Sequence, residues 1–203
     1  MLEAFSEQQL VSCDVNSQDQ GCNGGLPYFA MQYVEKIGGI LSESIYPYEL
    51  VPAQDGSHCK ASTSDMNTSS GIVGHVGRVD LVSLSAGTEE FVALALAKNG
   101  PLSVALNAVG MEYYVRGIVG CKNVADAEYC SAAEIDNPAN CDANIIDHAV
   151  TAVGFGSQNG TDYWLIKNSW GTDWGEQGYY RLEKGHNTCG VANMVVHSAY
   201  YPR

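Results

Sequence analysis

Apolar residues at Leu26, Phe29, Ala30, Tyr33, Val34 and Ile37 recur three and four positions apart, which lays one stripe along a helix. Pro27 falls in the first turn of that helix and Gly38-Gly39 ends it. A shorter helix is predicted from Ser6 to near Cys13, because Ser6-Glu7-Gln8-Gln9 forms a capping box whose hydroxyl and amide satisfy orphan amide hydrogens. Thr88, followed by Glu89 and Glu90, predicts a third helix that Gly100-Pro101 stops. After Pro101 the pattern changes, and runs rich in Val, Ile, Tyr and Trp at 102–108, 149–155, 163–169, 178–183 and 194–199 predict strands of an antiparallel sheet or barrel. A helical first part and a β-rich second part define an α+β chain of two packed subdomains, 1–100 and 101–203, with a cleft between them. Residues 42–70 read as an irregular surface stretch tied down by Cys59, and residues 122–144 as an inserted loop closed by a disulfide.

Composition adds a real core and narrows the partners. The chain is 45% hydrophobic and only 16% charged, against about 25% for an average soluble domain. Ten basic against 23 acidic residues leave a net charge of −13, which argues against nucleic acid and anionic lipid as partners. Apolar runs such as 91–97 fall far short of the roughly 18 residues that span a bilayer, so no membrane span is expected. The seven cysteines lack C-x-x-C spacing, which favours disulfides in an oxidising compartment over zinc or redox sites. Asn67 and Asn159 head glycosylation sequons, in keeping with the secretory pathway and an extracellular, lysosomal or vacuolar location. His58, His75, His186 and His197 show no metal-site spacing with acids or cysteines, and neither metal nor cofactor is expected.

Several motifs in register carry a resemblance. Asp147-His148-Ala149-Val150, Ala152-Val153-Gly154-Phe155-Gly156 and Tyr163-Trp164-Leu165-Ile166-Lys167-Asn168-Ser169-Trp170-Gly171 resemble the papain family of cysteine peptidases, and Trp174-Gly175-Glu176-Gln177-Gly178-Tyr179 and Cys189-Gly190 continue the likeness. Near the other end, Phe5-Ser6-Glu7-Gln8-Gln9-Leu10, Cys13-Asp14 and Gly21-Cys22-Asn23-Gly24-Gly25 resemble the family's segment just after its catalytic helix.

The resemblance implies a papain-like fold and a thiolate held beside an imidazolium that later protonates the leaving amine. By it His148 is that imidazole, Asn168 its orienting amide, and Trp170 the indole covering the His–Asn hydrogen bond. Gly24 and Gly25 match the rim that pairs with an extended peptide substrate. Leu26, Pro27, Ala105, Ile146, Ala149 and Met194 match the apolar pocket for the second residue before the scissile bond, with Asp147 beside it. It further implies a Cys13–Cys59 bridge, a bridge from Cys189 to either Cys121 or Cys141 with Cys130 in the remaining pair, and Cys22 left unpaired.

The family's nucleophile motif C-G-[SA]-C-[WY] and its oxyanion-hole Gln do not occur in these residues. Cys13 and Cys22 stand at about the right distance before His148, but neither has a nucleophile's neighbours. The expectation is therefore a papain-like peptidase lacking its N-terminal segment and inactive alone. Two alternatives stand beside it: a binding protein without activity, and a subunit joined through Cys22 to a chain that completes the site.

Overall fold

The computed structural model describes residues 3–16, 18–49, 58–61, 72–74, 76–83, 88–120 and 141–199. It divides into two compact units, Met1–Asp80 with Ser198–Arg203, and Leu81–His197. The fold class is mixed helix and antiparallel sheet, as the pattern predicts.

The first unit holds α1 (Glu7–Cys13), α2 (Pro27–Ile37) and a two-stranded sheet of β1 (Ile40–Leu41) and β2 (Ile72–Gly74). Ser6 caps α1 by accepting from the Gln9 amide at 3.0 Å. The reciprocal arm of the expected capping box is not made. Gln9 is fully buried and turns inward, accepting from Leu41 N at 2.8 Å and donating to Gly39 O at 3.3 Å. The Ser6 amide already donates to Leu41 O at 2.9 Å, so the Gln9 side chain is free to serve the buried Leu41 amide instead. Gln8 acts alike, donating to Ser12 Oγ at 2.7 Å and accepting from Glu49 N at 2.9 Å. The apolar core of this unit is small: Leu41 and Tyr46, with Cys13, Ile37 and Ala61 against them. The Cys13–Cys59 disulfide closes a separation of 46 residues, which stabilises by roughly 4 kcal/mol on chain-entropy grounds. On α2 only Val34 is buried, and the rest of the apolar stripe is half-buried.

The second unit carries α3 (Glu89–Asn99) and the body of a seven-stranded sheet in the order β3-β9-β4-β6-β7-β8-β5. Its strands are β3 (Arg78–Ser83), β4 (Leu102–Leu106), β5 (Ile118–Val119), β6 (His148–Gln158), β7 (Thr161–Lys167), β8 (Tyr179–Glu183) and β9 (Met194–Ala199). The expected strands are present with shifted ends, and two others join them. β3 lies where no strand is read from the sequence, although polar and apolar residues alternate over its first four positions. β5 pairs with β8 in parallel, a departure from the all-antiparallel expectation. The sheet's inward side chains, including Leu102, Val104, Leu106, Ala152, Trp164, Ile166, Tyr180, Leu182 and Val195, form the main core with Val92 and Leu96 of α3. Each large aliphatic member contributes about 1.5–3 kcal/mol relative to exposure.

Two buried or half-buried carboxylates fasten this unit. Glu89 lies in the first turn of α3, as expected, and its side chain is buried. It is 5% exposed, accepts from Trp164 Nε1 at 2.5 Å and from Asn187 N at 2.6 Å, and so pins helix, strand and loop together. Thr88, the expected cap, makes no capping hydrogen bond. Glu176 receives both Nε and Nη2 of Arg181 at 2.8 and 2.6 Å and the Gly117 amide at 3.0 Å.

Glu89→Ala is expected to destabilise the protein by about 3 kcal/mol in urea unfolding, because it leaves the Trp164 and Asn187 donors buried and unpaired. Trp164→Phe should also destabilise, since it leaves Glu89 Oε2 buried without its donor while Asn187 still engages Oε1. The hydrogen bond from Arg181 lowers the Glu176 pKa below 4.5, so its contribution is present above that pH and lost as pH falls through the folded value. Thermal unfolding midpoints measured from pH 6 to pH 3 should therefore fall less steeply in Glu176→Gln than in the natural sequence.

Candidate active site

The pairing of β6 with β7 decides which side chains meet at its open end. Asn159 and Gly160 close this hairpin with φ of 54° and 84°, both in the left-handed region that a two-residue turn of this hand requires. The ladder runs back to Thr151 opposite Lys167. Counting on from there sets Asn168 level with Val150 and Trp170 level with His148, so His148 and Asn168 are diagonal neighbours on one face. His148 opens β6 and stands opposite Leu106 of β4.

His148 Nε2 lies 2.9 Å from Asn168 Oδ1. The same oxygen accepts from the Ser169 amide at 2.8 Å, which orients the Asn168 amide with its oxygen towards the ring. Nε2 is thus the donor, and the other nitrogen, Nδ1, makes no hydrogen bond among the described residues. Asn168 is buried, its backbone amide donates to Gly178 O at 3.0 Å, and its Nδ2 has no partner among the described residues. A cavity of about 360 Å³ opens beside it, lined by Ser103, Ala149, Val150, Thr151, Lys167, Asn168 and Ser169.

Trp170 stacks against the imidazole with ring centres 5.1 Å apart and a 33° tilt. Its outer surface stays open, at 41% exposure. Trp174 meets it edge-on at 5.2 Å and is itself held by donating from Nε1 to Met111 O at 2.9 Å. Trp174 therefore sets the position of the indole that sets the position of the imidazole. The Trp170-x-x-x-Trp174 spacing was the signal for this second ring.

The apolar residues expected around a substrate side chain fall into two groups. Ala105 of β4 is paired directly with Ala149 of β6 and Met194 of β9, so these three form one row across adjacent strands. Ile146 is half-buried on the approach to β6. Asp147 is exposed, and its carboxylate is committed to the Ala108 amide at 2.7 Å. Gly24, Gly25, Leu26 and Pro27 belong to the first unit, where the glycines are exposed and the other two are half-buried at the start of α2.

Cys13 bridges Cys59, and Cys189 bridges Cys141, one of the two alternatives the sequence leaves open. Cys22 is exposed and unbridged. Cys121, Cys130 and Asn67 lie outside the described residues, while Asn159 is exposed at the hairpin tip. Among the described residues no group of three or more His, Cys, Asp or Glu could hold a metal ion, and no helix is long and apolar enough to cross a membrane. The sequence reading passes over one buried pair, Asp14 and Asp19, which flank a turn with no basic residue before Lys36.

The sequence profile described as "Papain family cysteine protease" matches residues 1–199. The chain is 40% identical over 193 residues to "Cysteine proteinase 3" of Solanum lycopersicum, covering 95% of this chain and 47% of that protein. It is 37% identical over 200 residues to "Cathepsin L-like peptidase" of Aedes aegypti, covering 96% and 50%. The chain thus spans about half the length of the curated relatives it matches. Among solved structures it is similar to digestive procathepsin L 3 of Tenebrio molitor larval midgut, with TM-score 0.76, 32% identity and coverage of 98% of this chain and 57% of that one. It is also similar to the bromelain protease of Ananas comosus in complex with the E64 inhibitor, with TM-score 0.73, 28% identity and coverage of 99% and 80%. With the profile running through nearly every residue and relatives at this level of identity agreeing with it, the chain belongs to the papain family of cysteine proteases.

Proposed function

We propose that His148, oriented by Asn168, is the acid–base group of a thiol-dependent peptidase. The observation that carries this reading is the 2.9 Å contact from Nε2 to Asn168 Oδ1, which leaves Nδ1 to exchange a proton with a thiol. The thiolate attacks the peptide carbonyl, Nδ1–H protonates the departing amine, and the acyl-thioester is then hydrolysed by water that gives its proton back to Nδ1. Asn168 holds the ring in the tautomer this needs, and Trp170 limits its rotation.

None of the seven cysteines stands in the family's nucleophile sequence, and the family's oxyanion-hole Gln is also lacking. The 203 residues alone are therefore inactive in this reading, and the thiol reaches His148 from elsewhere in the complete protein. The exposed, unbridged Cys22 supports a second reading, in which it joins a separate chain that carries the nucleophile. The substrate is an extended peptide or protein, laid along the Gly24–Gly25 edge. A bulky apolar side chain occupies the position before the cleaved residue, because Ala105, Ala149 and Met194 offer no charge. Two disulfides fit an oxidising compartment, and the reading places the protein in the secretory pathway or lysosome, with Asn159 available to a glycan.

In the full-length protein His148→Ala is expected to lower kcat for peptide hydrolysis by about 10²–10⁴-fold, and Asn168→Ala by a smaller factor, in a fluorogenic peptide assay. Unchanged rates in both would overturn the role given to the pair. The 203 residues expressed alone should show no hydrolysis above background. Met194→Glu should move preference at the second residue before the cut from Leu or Phe towards Arg, read as a ratio of kcat/KM values on matched peptides. An unaltered ratio would remove Met194 from the pocket.

A further inference from the structure

The turn between α1 and α2 is built around two carboxyl groups and no cation. Asp14 and Asp19 are 6% and 5% exposed. Their side chains are close enough to interact directly, and the second oxygen of each, Oδ2, is buried with no hydrogen-bond partner among the described residues. The first oxygens are both engaged: Asp14 Oδ1 accepts from Asn16 Nδ2 at 3.0 Å, and Asp19 Oδ1 accepts from Leu26 N at 2.7 Å. The latter bond ties the turn to the residue that starts α2. The contact is close, since a Cβ on Gly25 would lie within van der Waals overlap of Asp19 Oδ1. Asn16 completes the turn by accepting from the Gln18 and Asp19 amides at 2.7 and 2.9 Å.

We propose that Asp14 keeps a proton which it donates to Asp19, and that losing this proton frees Leu26 from the turn, so that the Gly24–Gly25 edge is ordered in acid and loosens as the proton is lost. Two buried carboxylates in contact cannot both ionise without strong repulsion, whereas one proton between them makes a short, charge-assisted hydrogen bond. The Asp14 carboxyl is pushed up to about 7, first by burial, then by the charge of Asp19 and the hydrogen bond to it, against a smaller lowering by Asn16. From α2 the group facing Asp14 is Tyr33, which burial holds neutral with a pKa of about 12. Tyr46 faces Tyr33 in turn, and the neighbouring Cys13–Cys59 bridge does not titrate. No Lys, Arg or His makes an ion pair with either carboxylate among the described residues.

The sign follows from linkage. Asp14 in the closed turn binds a proton that it releases near pH 4 when the turn opens, so closure is favoured below that value and weakened as pH rises to about 7. The opening constant should rise about tenfold per pH unit through this window and level off above it. That the ordered edge is where substrate pairs rests on the peptidase reading, but the switch itself does not.

The test is amide hydrogen exchange at Leu26 in the full-length protein with its reactive thiol blocked, from pH 4.5 to 8, corrected for the intrinsic rate. The natural sequence should lose protection about tenfold per pH unit up to about pH 7. In Asp19→Asn the amide nitrogen donates to Asp14 while its oxygen still accepts from Leu26, which removes the charge of Asp19 but not the burial of Asp14, so protection should depend less steeply on pH. Asp14→Asn removes the titrating group itself and should flatten the profile. A flat profile in the natural sequence, or an undiminished slope in both variants, overturns the switch. Either result leaves the peptidase reading intact, because hydrolysis is not the readout.

Discussion

The register between β6 and β7 is the constraint on which the site depends. A strand's side chains alternate faces, so a slip of one residue would carry His148 away from Asn168 and turn Trp164 and Ile166 out of the core at the same stroke. Burial of those two side chains, both at most 1% exposed, therefore stabilises the His148–Asn168 contact without touching it. The backbone bond from the Asn168 amide to Gly178 O extends the same lock to the segment that precedes β8. The hydrophobic core and the proton-transfer geometry are thus set by one choice of pairing.

A second theme is the use of polar side chains as fasteners in a chain with few charges. Gln8, Gln9, Glu89, Asp14 and Asp19 are all buried, and most of their bonds run to backbone amides or carbonyls of loops or short strands. Irregular backbone cannot satisfy itself as a helix or ladder does, so a buried side chain must do it. The cost of burying such groups is offset only when each lone pair is used. Glu89 meets that condition with donors on both oxygens. Asp14 and Asp19 meet it only while Asp14 holds a proton to donate.

Much of this was legible in the sequence where periodicity or a motif spoke directly. The helical stripe from Leu26 to Ile37 and the apolar strands after Pro101 are in place, and the motifs around His148 and Asn168 carried the family and brought the two residues together. What escaped is physical in kind. β1, β2 and β5 are two or three residues long, too short for any period to register. The Asn159–Gly160 turn read as a sequon, although the same dipeptide is a strong hairpin signal. Glu89 and Gln9 stand in the first turns of their helices, and only tertiary neighbours, Trp164 and Leu41, reveal that they are buried. The choice of Cys141 over Cys121 likewise depends on distance in space.

The hairpin also has a meaning in time. His148 and Asn168 are 20 residues apart, whereas Glu89 must find Trp164 and Asn187 across 75 and 98. Closing the shorter loop sacrifices less chain entropy, and hairpins of this kind form within about 1–10 μs. The imidazole and its orienting amide therefore need only local chain to meet, whereas the contacts of Glu89 need the distant parts of the unit. An alteration at Asn159 or Gly160, remote from any chemistry, would raise the entropic cost of bringing the two together.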